Sequence, residues 1–247
     1  MSKTTIIIIG IIVLCFGGLL AWSITDSQTN STNFDDYDSA TIIPATIDNG
    51  QIGDHVRGKI DSPVIFIEYA DFQCPGCAAM HPTINVLYEE YKDRVAFAFR
   101  HFPIPSLHPN AKASAAAAEA AGLQGYFFEM MNALFANQAV WSYTSGAERT
   151  NVFVELFLQI SPNGDANQFR SDMSKSEVTK KISFDYNLGV KKDSISGTPS
   201  FFVNGEHISS SGTSSTEILA AMRERLNSRL IEFGLPVDTT ETDQTEE

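Results

Sequence analysis

The order of strand-like and helix-like segments predicts an α/β domain that carries an all-helical insertion, preceded by an apolar N-terminal segment. Three observations predict it. The run Val64 to Tyr69 is β-branched and aromatic with Glu68 as its one charged member, the composition of a strand buried on both faces. Apolar residues at helical spacing follow it (Met80, Ile84, Leu87, Tyr88 and Tyr91), and then an alternating strand, Val95 to Phe99. So short a link from helix to strand implies a right-handed β-α-β unit with parallel strands. From about Asn110 to Val190 the signals are helical throughout, and β signals return only at Ser200.

The N-terminus stands apart. Ile6 to Ile24 is interrupted only by glycines and Ser23 and follows Lys3, so residues 1–25 read as a transmembrane anchor or a signal segment. About nineteen residues suffice to cross a bilayer, and a retained anchor is the preferred reading, although Ala21-Trp22-Ser23 offers small residues to a signal peptidase. Cys15 lies within this run behind the bulky Leu14 and reads as an ordinary membrane residue. Residues 26–48 are polar and acidic and predict a flexible linker, 49–235 hold the folded domain with its insertion at about 108–190, and 236–247 form a disordered acidic tail.

Composition sets the outer limits. A chain of 247 residues, 43% hydrophobic and 19% charged, buries a real core in one domain with an elaboration. A formal net charge of −13 without clustered Lys and Arg excludes nucleic acid as a partner. Behind either kind of N-terminal segment the domain is extracytoplasmic, where disulfides persist, yet three cysteines are too few to staple a scaffold.

Within the domain, His55 to Lys59 supplies a short edge strand or a loop, and Pro82 predicts a kink inside the first helix. Helices are expected over Ala111–Ala121, Tyr126–Phe135, Val152–Ile160 and Ser176–Leu188, with a break at Ser161-Pro-Asn-Gly-Asp165. Ser200 to Val203, the turn dipeptide Asn204-Gly205, and Glu206 to Ile208 form a hairpin. A last amphipathic helix spans about Ser215 to Phe233, capped by a Ser/Thr cluster.

The chemistry concentrates at Cys74-Pro-Gly-Cys77, where the buried strand hands over to a helix. Unpaired N–H groups and the positive end of the dipole stabilise a thiolate at that position, and Pro75 suits the first helical residue because it lacks an N–H. Cys77 falls one turn on, within disulfide reach. An exposed, acidic Cys74 beside a covered Cys77 is the arrangement thiol–disulfide exchange needs, with Cys74 as nucleophile and Cys77 as resolving thiol. A C-x-x-C pair also serves as half of a zinc site, but such a site takes four ligands, and the five histidines show no paired spacing. The sequence therefore predicts no metal and no cofactor.

Phe72-Gln-Cys-Pro-Gly-Cys77, Glu68 six positions before the first cysteine, Pro82 eight after it, Arg100-His-Phe-Pro103 and Gly197-Thr-Pro-Ser-Phe-Phe-Val-Asn-Gly205 together resemble the DsbA-like branch of the thioredoxin superfamily. The resemblance spans roughly Ile52 to Leu230 and implies a thioredoxin fold with its helical insertion after the second strand. It also implies an active-site disulfide between Cys74 and Cys77, a cis Thr198–Pro199 loop that clamps an extended substrate segment, and Glu68 as a buried acid relaying a proton to the inner cysteine. Val64 and Phe66 share the strand face of Glu68, which favours its burial. Pro75-Gly76 departs from both the Gly-Pro of reducing thioredoxins and the Pro-His of the strongest oxidases, so a milder oxidant is expected.

The resulting expectation is a dithiol oxidase acting on exported, cysteine-bearing proteins and recycled by a membrane or extracytoplasmic redox partner. It is a monomer, since no dimerisation module is apparent, and the N-terminal segment holds it at the membrane. A reductase or isomerase of the same fold, and a tethered protein that uses the cysteines as a structural bridge, stand as the alternatives.

Overall fold

A computed structural model describes residues 32–209 and 214–237. The apolar segment with Cys15 and the acidic tail from residue 238 lie outside the described residues, and among the described residues no helix is long and apolar enough to cross a membrane.

A five-stranded mixed sheet forms the centre: β1 (His55–Gly58), β2 (Ile65–Ala70), β3 (Ala96–His101), β4 (Ser200–Val203) and β5 (Glu206–Ile208), in the spatial order β1-β3-β2-β4-β5. β2 and β3 are parallel, with Phe66 opposite Phe97, joined through helix α1 (Pro75–Tyr91). β1, β4 and β5 add antiparallel neighbours. His55–Gly58 is thus an edge strand and not a loop. Placing β2 in the middle explains its apolar composition, because both of its faces are covered.

The period of two along β2 sorts the layers. Val64 and Phe66 face α1 and the C-terminal helix α8 (Ser215–Glu232), packing against Ile84, Leu87, Met222, Leu226 and Leu230. Ile67 and Tyr69 point to the opposite side, toward Phe102, Ile195 and Phe202. There α7 (Ser176–Lys191) approaches so closely that a Cβ on Gly189 would sit 3.1 Å from Tyr69, Phe102 and Ile195. Between β3 and β4 the insertion runs through α2 (Ala111–Gly122), α3 (Phe127–Ala136), α4 (Gln138–Trp141), α5 (Gly146–Ile160) and α6 (Ala166–Asp172) before α7. Its core is Met130, Leu134, Trp141, Phe153, Phe157 and Phe169, continuous with Phe72, Phe99 and both cysteines.

Local chemistry accounts for the boundaries. Pro82 lies inside α1, which continues through it to Tyr91. Ser214 and Glu217 form a reciprocal capping box at the start of α8, and Asp165 accepts from the N–H groups of Asn167 and Gln168 at the start of α6. Asn204 and Gly205 turn the β4–β5 hairpin with φ of 47° and 80°, the left-handed pair that suits strand twist.

The stretch expected to be a tether folds from Phe34 onward. The compact unit begins at Phe34, and Phe34 and Ile43 are buried, Phe34 beside Phe184 of α7. A buried arginine at the end of β3 explains this. Arg100 donates to the carbonyls of Ser39 (2.7 Å) and Thr41 (2.6 Å) and to Asp54 (2.7 Å), while Lys181 bridges Asp54 (3.3 Å) and Asp185 (2.8 Å). Burial alone would raise the Asp54 carboxyl, yet Arg100 and Lys181 outweigh it and hold the group below its ordinary range. Polar composition signalled solvent exposure over residues 34–48, whereas the carbonyls of this stretch are the acceptors a buried guanidinium needs.

Replacing Arg100 with Met leaves Asp54 a buried charge short of its main partner. The expected loss is about 3–5 kcal/mol of unfolding free energy in a urea titration. A loss below about 1 kcal/mol would show that the cluster relaxes without cost.

Candidate active site

Cys74 occupies the N-cap of α1, with Pro75 in the first turn. The chain reaches this point through a turn built by Asp71. Its carbonyl accepts the Cys74 N–H (3.0 Å), one carboxylate oxygen accepts the Gln73 N–H (2.8 Å), and the other accepts Ile104 N–H (2.9 Å) and His108 Nδ1 (2.8 Å). Cys77 lies one turn further along α1 and is fully buried, whereas Cys74 keeps 8% of its surface. Exposure of Cys74 is therefore a sliver and not the open position expected. Both cysteines are free thiols, so the geometry is that of the reduced dithiol.

The two sulfurs titrate in opposite directions. Cys74 is lowered from 9.0 to about 5, first by the hydrogen bond from the Cys77 thiol, against the opposing effect of burial, and then by the Thr198 side chain and the N–H groups of Cys77 and Gly76. The helix N-terminus thus contributes as expected, but the neighbouring thiol contributes more. Burial pushes the Cys77 thiol well up, and the proximity of Cys74 adds to it. Thr198 Oγ1 is buried without a fixed hydrogen-bond partner and lies within reach of both sulfurs, lowering each of them. When Cys74 is protonated, its thiol donates to the Thr198 carbonyl at 3.4 Å.

The Thr198–Pro199 bond is cis. Pro199 lies against the active-site turn: a Cβ on Gly76 would sit 3.5 Å from Pro199 Cδ and 3.6 Å from Cys74 Sγ. Cys74, Cys77, Thr198 and Pro199 therefore form one cluster. Glu68 is 4% exposed, on the α1 face of β2, and no hydrogen bond joins it to either sulfur. It borders a cavity of about 10 Å³, room for one water, shared with Arg57, Ile84, Phe99, Phe128 and Met131. Burial raises its carboxyl from 4.5 to about 7, partly offset by Arg57. Arg57 itself packs over Tyr88 and donates to Asn85 (3.0 Å).

Residues from the insertion grip the same turn, and nothing local in the sequence marks them. Gln138 Nε2 donates to the carbonyls of Phe72 (2.8 Å) and Cys74 (3.0 Å). Gln73 donates to the Ser142 carbonyl (2.9 Å) and accepts the Asn110 N–H (2.5 Å). These contacts span 37 to 69 residues of chain, from the start of α2 to the C-terminal end of α4, so no spacing rule reaches them. A histidine pair is also brought together, with half-buried His55 Nε2 (2.9 Å) and buried His101 Nε2 (2.7 Å) both on Glu119 Oε1. Among the described residues no cluster of His, Cys, Asp and Glu is placed to hold a metal ion.

Residues 50–221 match the thioredoxin family, and the chain belongs to it. Its fold is that of the DsbA-like thiol–disulfide oxidoreductases. BdbD from Bacillus subtilis in its oxidised form is 20% identical with a TM-score of 0.61, covering 78% of this chain and all of that one (100%). Wolbachia pipientis alpha-DsbA1 is 21% identical with a TM-score of 0.59, over 73% of this chain and 94% of that one. A thioredoxin-like oxidoreductase from Silicibacter pomeroyi DSS-3 is 24% identical with a TM-score of 0.56, over 71% and 92%. Among curated sequences, a protein named Na(+)/H(+) antiporter NhaA 1 from Salinispora arenicola (strain CNS-205) is 36% identical over 155 residues, 62% of this chain. The match takes in 22% of that relative, so this chain spans a small part of its length.

The asymmetry of the sulfurs is measurable. Thiolate absorbance of the reduced protein should rise with a midpoint near pH 5 as Cys74 ionises, while Cys77 stays protonated beyond pH 9. Because the Cys74 value is lowered by folding, its stabilisation of the reduced state is complete above pH 9 and is lost as pH falls through about 5. A single midpoint near that of free cysteine would contradict the geometry.

Proposed function

We propose that this protein is an extracytoplasmic thiol:disulfide oxidoreductase that works as a dithiol oxidase on exported proteins, through Cys74 and Cys77. The asymmetry of the two sulfurs supports the reading above all else. A dithiol in which one sulfur is a stable thiolate is the favoured state, so the corresponding disulfide is an oxidant.

In the forward reaction a substrate thiolate attacks Cys74 Sγ of the Cys74–Cys77 disulfide. The S–S bond breaks, Cys77 leaves as a thiolate, and a mixed disulfide joins substrate to Cys74. A second substrate thiolate then attacks the substrate sulfur of that bond and releases Cys74 as its stabilised thiolate. The substrate loses two electrons and two protons to the enzyme, and a redox partner restores the disulfide by accepting them. Cys77 needs a proton as it leaves, because burial disfavours its anion. We assign that proton to Glu68, half-protonated near neutral pH, delivered to the sulfur through an intervening water because no hydrogen bond joins the two groups, with the Arg57 cavity as the carboxyl's way to solvent. Thr198 and Pro199 line the sulfur where an extended substrate segment would dock. Retained as an anchor, residues 6–24 would hold the domain on the extracytoplasmic side of the membrane, and cleaved as a leader they would release it as a secreted protein. The transport activity in the names of the antiporter relatives is not carried over, since the match takes in 22% of such a protein.

Replacing Cys74 with Ser should abolish oxidation of a reduced, unfolded test protein, and replacing Cys77 with Ala should accumulate mixed disulfides on Cys74 in cells. A Cys74→Ser protein that still oxidises its substrate would end this reading, and a reduction potential as negative as that of thioredoxin, about −270 mV, would reverse its direction.

Glu68 gives a separate test. Its raised value means the acid form stabilises the fold below pH 4.5, and that contribution is lost as pH rises through about 7. The stability advantage of Glu68→Gln over the parent should therefore widen between those values in denaturant titrations. The variant should also slow exchange by roughly a hundredfold or more at neutral pH, within the ordinary span for a proton-transfer residue. Equal rates would remove Glu68 from the reaction.

A further inference from the structure

We infer that Gln138, supplied by the helical insertion, is a positioning residue for the reaction: its side-chain amide fixes the turn that presents the Cys74 sulfur. The inference rests on the redox reading of Cys74 and Cys77 and adds a residue to it.

Three observations carry it. Both hydrogens of the Gln138 amide are used on one turn, reaching the carbonyls of Phe72 (2.8 Å) and Cys74 (3.0 Å) from the first residue of α4. The Cys74 carbonyl also accepts the first hydrogen bond of α1, from the Ala78 N–H at 3.1 Å, so Gln138 completes the coordination of the peptide that carries the reactive sulfur. On the other side of the turn Gln73 binds the Ser142 carbonyl and the Asn110 N–H, so one insertion segment holds Phe72, Gln73 and Cys74 together.

The consequence is both geometric and electrostatic. Holding the Cys74 carbonyl fixes its extended ψ of 122°, and with it the direction of the sulfur toward the Cys77 thiol and Thr198. The negative end of that carbonyl dipole lies on the same residue as the thiolate. An amide donor placed on it draws charge away, and its loss leaves that carbonyl with the Ala78 N–H alone. The titratable groups beside the sulfur are Cys77 on α1 and, on the flanking loops, Asp71 with its partner His108. None of them is a hydrogen-bond partner of Gln138, so Gln138→Leu changes no charged neighbour, whereas Gln138→Lys adds a positive charge that can only favour the thiolate.

The test compares full-length protein carrying Gln138→Leu and Gln138→Lys with the parent, in the reduced form. Gln138→Leu removes both donors, and Gln138→Lys keeps donors within reach. Thiolate absorbance against pH, the equilibrium with glutathione and thermal unfolding are each measured. Gln138→Leu should raise the proton affinity of Cys74 by roughly threefold to tenfold and shift the glutathione equilibrium toward the protein disulfide by a similar factor. Gln138→Lys should stay at or below the parent value. A Gln138→Leu protein that unfolds earlier but titrates within twofold of the parent would overturn the inference, leaving Gln138 a merely stabilising contact. A Gln138→Lys protein that titrates well above the parent would also overturn it, and this arm stands alone if Gln138→Leu does not fold. A parent whose Cys74 titrates like free cysteine would instead refute the redox reading, which separates the two failures.

Discussion

The ion pair between Arg100 and Asp54 sits where β2, β3, α7 and the N-terminal stretch meet. Both side chains are fully buried, and a buried charge is tolerated only when partnered on all sides. Arg100 therefore draws in the carbonyls of Ser39 and Thr41, the Tyr69 hydroxyl and Asp54, while Lys181 and Asp185 of α7 complete the cluster. The next residue, His101, donates its backbone N–H to Asp185 and places its ring on Glu119 of α2. The end of β3 is thus the point from which the insertion is hung.

That attachment matters for chemistry because the insertion returns to hold the cysteine turn. Asn110, Gln138 and Ser142 contact residues 72–74, and Ile104 and His108 contact Asp71. The sheet delivers Cys74 to the start of α1 and the β4 end of the chain delivers Thr198 and Pro199, while the insertion sets the turn between them. Burial then separates the two thiols, pushing Cys77 up, while hydrogen bonds hold Cys74 down. The result is one acidic sulfur and one that keeps its proton instead of two equivalent ones.

Much of this was legible in residue order. The β2 run, the helical spacing after Cys77, the alanine-rich α2 and the Asn204-Gly205 hairpin all announce themselves, because each rests on contacts within a few residues. Residues 34–48 did not, since their polar composition resembles that of a solvated tether. What holds them down is an arginine some 60 residues away in sequence. Gln73, Gln138 and Arg57 were equally invisible: an uncharged amide or a lone arginine carries no spacing signal, and its meaning depends on which backbone it faces.

The sequence by itself determined the element order, the placement of Cys74 at a strand-to-helix junction and the company of Glu68 on a buried strand face. Those follow from side-chain periodicity and from the geometry of a helix start, which are local. Only the tertiary structure decided how much of Cys74 stays exposed, that the Cys77 thiol acidifies it more than either helix N–H does, and that Glu68 hydrogen-bonds neither sulfur but borders a cavity with Arg57. Desolvation and hydrogen bonding depend on what closes over a group, and the atoms that close over this site come from distant parts of the chain.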